Sequence, residues 1–237
     1  MLKNVIQSIA KITGHQIVSL ERAQCDSYCL QSVLNDRGIN LVIDVGANLG
    51  QFAQEMRYMG YEGQIISFEP LATTHKELTR IAAHDPNWSV APRMALGASS
   101  GEVRIHVAGN TVSSSIYPML DAHQRVAPES AYVNEESVPL NKLDDVCPMN
   151  TDQRALLKID VQGYEKAVLD GASQILERCQ AVVIEMSLVP LYEGQMLALG
   201  LWSALERLGF QACNFRPGFR DPSSRRMLQM DGVFVRR

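Results

Sequence analysis

Four acidic residues, each at the end of an apolar segment, are the side chains of this sequence best suited to chemistry. They are Asp44, Glu69, Asp160 and Glu185. The carboxyl ends of parallel strands meet at one edge of an open α/β sheet, and ligands bind in the crevice outside that edge. We therefore expect the four carboxylates to converge on one crevice, where they could bind a cation, accept hydrogen bonds from hydroxyl groups or remove a proton.

Residues 41–52 predict a strand, a tight turn and the start of a helix. Gly46 and Gly50 let the backbone of this turn come close to a ligand at the helix N-terminus. A dinucleotide-binding turn reads Gly-x-Gly-x-x-Gly, whereas this turn has Asn48 in the middle and lacks the third glycine. Asp44 would repel a pyrophosphate but suits an ammonium group, so the turn favours S-adenosylmethionine over NAD.

A second apolar segment, residues 64–69, ends in Glu69 and is followed by Pro70. An acid at the end of the second strand of such a unit accepts hydrogen bonds from ribose hydroxyls. The alternative is that Glu69 caps the next helix or is solvated. The glycine turn that precedes it favours the ligand-binding role.

The composition is that of a globular protein with a full core. The chain has 237 residues, of which 46% are hydrophobic and 20% charged, and its net charge of −4 argues against a general nucleic-acid surface. No segment is apolar over a length that predicts a membrane span. Five scattered cysteines without a Cys-x-x-Cys pair indicate a reduced, cytoplasmic protein. Association into a homo-oligomer stays open.

The order of predicted elements indicates the fold. Residues 1–38 predict an N-terminal helical cap, and residues 39–237 predict one domain in which strands and helices alternate. This pattern is typical of a doubly wound, mostly parallel sheet of about seven strands with helices on both faces. The last two strands are joined by a connection without a helix, so they should form an antiparallel hairpin.

Two regions of the chain are harder to place. Residues 88–96 predict a third strand interrupted by Pro92, and residues 102–108 predict a partner that extends the sheet edge in antiparallel fashion. Residues 109–139 are polar and turn-rich. A segment of that length is usually functional or disordered, so it predicts either a lid or acceptor loop or a disordered one.

Six motifs follow one another along the chain. They are Val42-Ile43-Asp44-Val45-Gly46-Ala47-Asn48-Leu49-Gly50, Phe68-Glu69-Pro70, Ala95-Leu96-Gly97, Leu143-Asp144-Asp145, Leu157-Lys158-Ile159-Asp160-Val161-Gln162-Gly163-Tyr164-Glu165 and Ile184-Glu185. In this order they resemble the FkbM family of S-adenosylmethionine-dependent methyltransferases, which has the class I Rossmann-like fold. The resemblance covers roughly residues 40–235, and the block at 157–165 is its most distinctive part.

The resemblance implies a cofactor site and a reaction. S-adenosylmethionine would be the cofactor, and a methyl group would pass to a hydroxyl of a sugar, glycan, glycolipid or polyketide-type molecule. Glu69 would hold the ribose hydroxyls, and Ala95 and Leu96 would lie near the adenine. The methionine end would be lined by Asp44, Gly46, Asn48 and Gly50, and Phe52 and Pro70 belong to the same predicted site.

Methyl transfer from a sulfonium is an in-line displacement, in which a positioned base helps the acceptor hydroxyl lose its proton. Asp160 is the preferred base, although it could instead cap the helix that follows. Glu165 would support it or bind the acceptor. Glu185 would bind acceptor hydroxyls or, with Asp160, a divalent cation, which is the less favoured alternative. His106 and His123 are alternative bases.

Two other functions stay open. The chain could be a non-catalytic S-adenosylmethionine-binding or interaction module, although the intact turn at 44–50 and Glu69 argue for a working cofactor site. It could also be an NAD-linked oxidoreductase, against which the missing third glycine and Asp44 count.

Overall fold

The computed structural model describes residues 27–147 and 149–237. The first 26 residues, which make up most of the predicted N-terminal cap, lie outside the described residues, as does Cys25. The helices of the described part are α1 Ser27–Asp36, α2 Gln51–Tyr58, α3 Ala72–Ala82, α4 Asp121–Val126, α5 Leu143–Val146, α6 Glu165–Asp170, α7 Ser173–Arg178 and α8 Ala198–Arg207.

The strands form two sheets. They are β1 Leu41–Val45, β2 Gln64–Phe68, β3 Trp88–Val90, β4 Ala95–Leu96, β5 Gly101–Ala108, β6 Tyr132–Asn141, β7 Ala155–Ile159, β8 Cys179–Ser187, β9 Phe210–Pro217 and β10 Gln229–Arg236. The main sheet has seven strands in the order β3-β2-β1-β7-β8-β10-β9. In this sheet β10 alone runs opposite to the other six strands. The predicted doubly wound sheet with a terminal antiparallel hairpin is confirmed.

The central strand β1 is apolar because both of its faces are buried. Leu41 and Ile43 pack into the core on one side of the sheet, together with residues of α6, α7 and α8. Val42 packs into the core on the other side, with residues of α1, α2 and α3. Burying an aliphatic side chain of this size stabilises the fold by roughly 1.5–3 kcal/mol, so the strand is fixed between two helical layers.

The strand order places a crevice beside β1. The chain runs from β1 outward through β2 to β3, and later returns to pair β7 with the other side of β1. The loops that follow β1 and β7 therefore diverge toward opposite sides of the sheet. Open α/β sheets bind their ligands in the crevice between two such loops. The carboxyl ends of β1, β2, β7 and β8 therefore frame the site.

The prediction of one strand over residues 88–96, extended by 102–108, is wrong. The chain leaves the main sheet after β3, and β4 belongs to a second sheet in the order β4-β6-β5. Pro92 lies in the break and has no backbone N–H to donate to a ladder. Strand β5 pairs in antiparallel fashion with β6, so this pair is not an extension of the main sheet edge.

The segment at 109–139 is also not one loop. It contains α4, a short 3-10 helix at Pro128–Ser130 and most of β6. The segment is bonded to the loop after β8, since Leu120 N donates to Leu191 O at 2.9 Å and Glu193 N donates to Pro118 O at 2.9 Å. We call residues 109–131 the insertion, because they lie between the two long strands of the second sheet.

The helix predicted after Asp160 is divided at Gly171 into α6 and α7. A Cβ atom at position 171 would lie 1.9 Å from the carbonyl oxygen of Gly97. Glycine at this position therefore permits a backbone contact between the helical layer and the turn that follows β4.

Candidate active site

The turn after β1 has a backbone that favours glycine. Gly46, Asn48 and Gly50 have φ angles of 74°, 48° and 80°. A Cβ atom at Gly46 would lie 1.8 Å from the carbonyl oxygen of Asp160, and one at Gly50 would lie 2.5 Å from the ring of Trp88. The turn thus packs directly against the end of β7, which explains the glycines in the sequence.

Glu69 fastens this turn to the end of β2. Its carboxylate accepts hydrogen bonds from Asn48 N at 2.8 Å and from Leu71 N at 2.9 Å. Glu69 is buried, and burial raises the pKa of its carboxyl to about 7, against the effect of the two N–H donors. Each carboxylate oxygen has further lone pairs, which can accept hydrogen bonds from hydroxyl groups of a ligand.

A crevice of about 730 Å³ opens beside the turn, and we call it the nucleoside crevice. Its walls combine apolar side chains with the carboxylates of Glu69 and Asp160. Of the predicted cofactor-binding residues, those that line it are Gly46, Asn48, Glu69, Pro70, Ala95 and Leu96.

The other predicted cofactor residues lie elsewhere. Asp44 is inaccessible to solvent and does not line the nucleoside crevice. Gly50 packs on Trp88 at the start of α2. Phe52 lines a separate cavity of about 570 Å³, which we call the acid cavity because Asp160, Glu185 and Asp231 face it.

Lys158 connects the predicted acids. Its Nζ atom donates to the carbonyl of Gly46 at 2.8 Å and lies 3.1 Å from Asp44 Oδ1 and 3.7 Å from Asp160 Oδ2. Burial alone would lower the pKa of Lys158, but the charges of Asp44 and Asp160 raise it. Burial also raises the pKa of Asp44, against the opposing effect of Lys158. Neither oxygen of Asp44 accepts a hydrogen bond of regular geometry from the described residues.

Gln162 is a site residue that the sequence did not single out. Its backbone has a φ of 55°, which is rare for a residue with a side chain and often marks a functional position. The amide Nε2 donates to Asp160 Oδ1 and to Glu185 Oε2, both at 2.8 Å. The amide oxygen accepts from the hydroxyl of Tyr192 at 2.7 Å, and the backbone oxygen accepts from Ser115 Oγ at 2.6 Å.

Asp160 and Glu185 are brought together by this amide. Glu185 also accepts a hydrogen bond from Gln229 Nε2 at 2.7 Å. Burial and the neighbouring charge of Asp160 raise the pKa of Glu185 well above its usual value. Asp160 is half-buried, with 36% of its side chain exposed. Two carboxyl groups with different environments can divide the roles of proton donor and proton acceptor.

Glu165 lies behind the loop and not in a cavity. It is buried at the start of α6, where Oε1 accepts hydrogen bonds from Gly163 N at 2.9 Å and Val161 N at 3.2 Å. Burial raises the pKa of its carboxyl to about 7. Through these contacts Glu165 holds the loop that carries Asp160, and its role toward the acceptor stays a prediction.

A third cavity, of about 690 Å³, lies under the insertion, and we call it the loop cavity. It shares Asp160 and Gln162 with the nucleoside crevice, and Asp160 and Glu185 with the acid cavity. Of the two predicted alternative bases, His123 lines the loop cavity. His106 lies on the second sheet, where its Nδ1 atom is 3.0 Å from Glu135 Oε1.

Metal-binding clusters and membrane-spanning helices are both absent from the described residues. Among residues 27–147 and 149–237, no group of three or more His, Cys, Asp or Glu side chains is arranged to hold a metal ion. None of the helices in these ranges has the length and apolar character needed to cross a bilayer.

Solved methyltransferase structures share this fold at low sequence identity. A putative S-adenosylmethionine-dependent methyltransferase from Listeria monocytogenes is 8% identical, with a TM-score of 0.50 over 89% of this chain and 98% of that chain. Magnesium protoporphyrin IX methyltransferase from Synechocystis PCC 6803, solved with bound S-adenosylmethionine, is 10% identical, with a TM-score of 0.48 over 99% and 97%. A putative RNA methyltransferase from Pyrococcus horikoshii is 12% identical, with a TM-score of 0.45 over 93% and 87%.

The family is shown by the sequence itself. No curated protein matches the chain. Residues 44–212, which are more than half of the chain, match the model of the methyltransferase FkbM domain. The matched segment contains the glycine turn, Glu69, Asp160 and Glu185, and it confirms the predicted enzyme class and cofactor. The chain belongs to the FkbM family of S-adenosylmethionine-dependent methyltransferases.

Proposed function

We propose that this enzyme transfers a methyl group from S-adenosylmethionine to a hydroxyl oxygen of a sugar, glycan, glycolipid or polyketide-type molecule. One observation carries the proposal: Asp160, whose side chain is 36% exposed, lines the nucleoside crevice, the acid cavity and the loop cavity at once. A carboxylate at such a junction can contact a cofactor on one side and an acceptor on the other. The supporting argument for a hydroxyl is that an alcohol needs a base, whereas many other acceptors do not.

The residues present fit the cofactor. In this proposal, Glu69 accepts hydrogen bonds from the ribose hydroxyls, since its buried carboxylate lies in the crevice wall and retains free lone pairs. Ala95 and Leu96 supply an apolar surface for the adenine. Gly46 and Asn48 present backbone beside the methionine end. Asp44 acts indirectly, by holding the Lys158 ammonium that fixes the carbonyl of Gly46.

The acid cavity fits the charged end of the methionine. Its walls carry both signs of charge, with Lys158 and Arg216 beside Asp160 and Asp231. Gln51 and Phe52, the first two residues of α2, line it, and the backbone N–H groups of a helix N-terminus favour a carboxylate. This placement would account for Phe52 as a cofactor-binding residue, although it lies outside the nucleoside crevice.

The chemical step follows from the network around Asp160. The cofactor supplies an electrophilic methyl group, and its sulfur keeps the electron pair of the broken carbon–sulfur bond. Asp160 removes the hydroxyl proton as the acceptor oxygen forms its bond to carbon. Gln162 holds the carboxylate of Asp160 in place through Oδ1. Glu185, whose raised pKa favours the neutral acid, binds a second hydroxyl of the acceptor.

The proposal also covers the class of acceptor that is excluded, the cellular compartment and the segment that binds the acceptor. The net charge of −4 and the acidic loop cavity support an acceptor that is not a nucleic acid. Scattered cysteines, of which Cys147 and Cys179 are buried thiols, support a cytoplasmic enzyme. The insertion at 109–131 serves as the acceptor-binding segment of the domain.

Calorimetric titration with S-adenosylhomocysteine, followed by a methyl-transfer assay on a panel of hydroxylated glycosides, glycolipids and polyketides, tests the proposal. We expect wild type to bind S-adenosylhomocysteine, and Asp160→Asn still to bind it while losing about 10²–10⁴-fold in transfer rate. Binding of NADH but not S-adenosylhomocysteine would overturn the cofactor site. Binding of S-adenosylhomocysteine without transfer to any hydroxyl would favour a binding module.

A further inference from the structure

The loop cavity has an unbalanced set of charges. Its walls include three acidic side chains, those of Glu129, Asp160 and Glu185, whereas no Lys or Arg side chain is among the described residues that line it. Lys158 lies close to Asp160 but faces the acid cavity. A cavity with hydrogen-bond acceptors and no compensating cation favours ligands that donate hydrogen bonds, and it disfavours anions.

His123 is a second, independent feature of this cavity. The residue is only 3% exposed and lines the cavity from α4. Its ring lies 5.1 Å from the ring of Phe219 and 5.4 Å from the ring of Tyr192, measured between centroids. The imidazole therefore has a fixed position between two aromatic side chains. It is a buried polar group that the chemical step assigned to Asp160 does not use.

The hydrogen bonds around Ser130 determine the tautomer of His123. The Ser130 hydroxyl has one hydrogen and two acceptors that it can donate to, Ala127 O at 2.6 Å and the weaker acceptor Met119 Sδ at 3.3 Å. It must then accept at its other contact, the 3.0 Å hydrogen bond to His123 Nδ1. The ring hydrogen therefore sits on Nδ1, and Nε2 carries a lone pair. Nε2 makes no hydrogen bond with any residue in the described ranges.

Burial lowers the pKa of His123, so the ring is neutral at neutral pH. A neutral ring with hydrogen on Nδ1 presents only an acceptor at Nε2. Such an acceptor in the wall of a cavity can be satisfied by a ligand that donates a hydrogen bond to it, and a hydroxyl group is such a donor.

We propose that the loop cavity binds the acceptor as a hydroxylated molecule without an anionic group, one of whose hydroxyls donates a hydrogen bond to His123 Nε2. This inference rests on the proposed function, because it names the acceptor class of the same site. His123 selects the acceptor by accepting a hydrogen bond from its hydroxyl. The acidic side chains that line the same cavity disfavour the binding of uronic acids, phosphorylated sugars and sulfated sugars. Asp160, at the border with the nucleoside crevice, acts on a different hydroxyl.

The first test uses protein whose histidines are labelled with ¹⁵N, saturated with S-adenosylhomocysteine. Comparison with the spectrum of His123→Asn assigns the ring signals. We expect the free protein to show an unprotonated Nε2, and neutral methyl hexopyranosides to shift that signal in the direction of a hydrogen-bonded nitrogen. The matching methyl hexuronosides, at equal concentrations, should leave it unchanged. Any of three results would overturn the proposal: a protonated Nε2 in the free protein, no shift with any neutral glycoside, or an equal shift with the methyl hexuronosides.

The second test separates recognition from packing. His123→Asn keeps an amide N–H that can reach Ser130 but has no acceptor at the position of Nε2, whereas His123→Gln can place an amide oxygen near it. We expect ligand-observed NMR to show about tenfold weaker binding of the neutral glycosides to His123→Asn and partial recovery in His123→Gln. Equal binding to wild type and His123→Asn would overturn the proposal.

Glu129→Gln is the matched variant for charge selection. It leaves the His123 ring and Ser130 unchanged and removes one carboxylate from the cavity wall. We expect it to reduce the preference for neutral glycosides over uronides, and an unchanged preference would count against the electrostatic part of the proposal. Calorimetry with S-adenosylhomocysteine on the same samples keeps the two hypotheses apart. Loss of that binding would indicate a failed cofactor site, whereas intact binding assigns a negative result to the loop cavity.

Discussion

The ammonium of Lys158 lies 3.1 Å from the buried carboxylate of Asp44, its register partner on the neighbouring strand. The same ammonium donates a hydrogen bond to the carbonyl of Gly46. One ion pair thus connects β7 to β1 and to the glycine turn. The carboxylate that the sequence assigned to a ligand's ammonium is in contact with an ammonium from the protein itself.

Replacing Lys158 by Met should destabilise the fold by roughly 3–5 kcal/mol, because it leaves the carboxylate of Asp44 buried without a counter-charge. Urea unfolding followed by circular dichroism measures this. Lys166→Met is the control, since Lys166 pairs with Asp170 at the surface and such pairs contribute about 0–1 kcal/mol. Equal effects of the two variants would contradict the assignment.

The double variant Asp44→Asn with Lys158→Met separates the ion pair from packing. Removing both charges avoids the unpaired carboxylate, so we expect the double variant to be more stable than Lys158→Met alone. If the double variant lost as much free energy of unfolding as the two single variants together, Asp44 and Lys158 would have no coupling energy. S-adenosylhomocysteine titration of the stable double variant then reports how much the turn geometry depends on the pair.

The sequence predicted that acidic residues lie near the carboxyl ends of the strands. It did not predict in which direction each acidic side chain points. Asp44 is the fourth residue of β1 and lies inside the strand ladder, so its side chain is in the core. Glu69 and Asp160 each follow the last residue of their strand, and both line the nucleoside crevice. Strand ends are uncertain by one or two residues in a sequence pattern, and that uncertainty decides whether an acid faces a ligand.

Gly46→Ala should lower thermal stability and S-adenosylhomocysteine affinity more than Gly60→Ala, a replacement at another glycine with a positive φ. Gly60 has a φ of 85° and no atom within 4 Å of a Cβ at that position, so Gly60→Ala costs only backbone strain of about 1–2 kcal/mol. Gly46→Ala adds a clash with the carbonyl of Asp160, worth a further ~1–3 kcal/mol. Thermal unfolding and S-adenosylhomocysteine calorimetry compare the two. Retained affinity in Gly46→Ala would show that the turn can relax.

Glu69→Gln should weaken S-adenosylhomocysteine binding about tenfold, since it replaces a charged acceptor by an amide. The pKa of Glu69 is about 7, and the ionised form accepts ribose hydroxyls best, so wild-type affinity should rise between about pH 6 and pH 8. The variant should lose this dependence. Calorimetry across the pH range measures both effects, and a parallel pH profile in the variant would contradict the role of Glu69.

The same pKa has a consequence for stability. Glu69 binds its proton more tightly in the folded protein than at the unfolded value of about 4.3. Its contribution to the free energy of unfolding is therefore fully present below about pH 4.3 and is lost as the pH rises to about 7. Glu165 shifts in the same direction, so wild type should lose stability across this window and Glu69→Gln should lose less.

The role of Gln162 could not be predicted from local sequence. Its partners are Tyr192, which lies 30 residues later in the chain, and Ser115, which lies 47 residues earlier in the insertion. The Ser115 contact comes from the insertion and the Tyr192 contact from the loop after β8, so both depend on how these segments fold around residue 162. The sequence pattern gave no strand or helix at 109–131, so nothing in it indicated which residues would lie above the four acids.

Tyr192→Phe should lower the methyl-transfer rate about 3–10-fold and leave S-adenosylhomocysteine affinity unchanged. The variant removes the hydroxyl that fixes the Gln162 amide oxygen, a hydrogen bond worth about 0.5–1.5 kcal/mol, and keeps the ring that packs beside His123. With the amide less constrained, Asp160 and Glu185 are positioned less well for the acceptor. Rates at saturating cofactor measure the effect, and Tyr58→Phe, at a side chain that is 93% exposed, is the control. A rate equal to wild type would show that the amide keeps its orientation through its two donated hydrogen bonds alone.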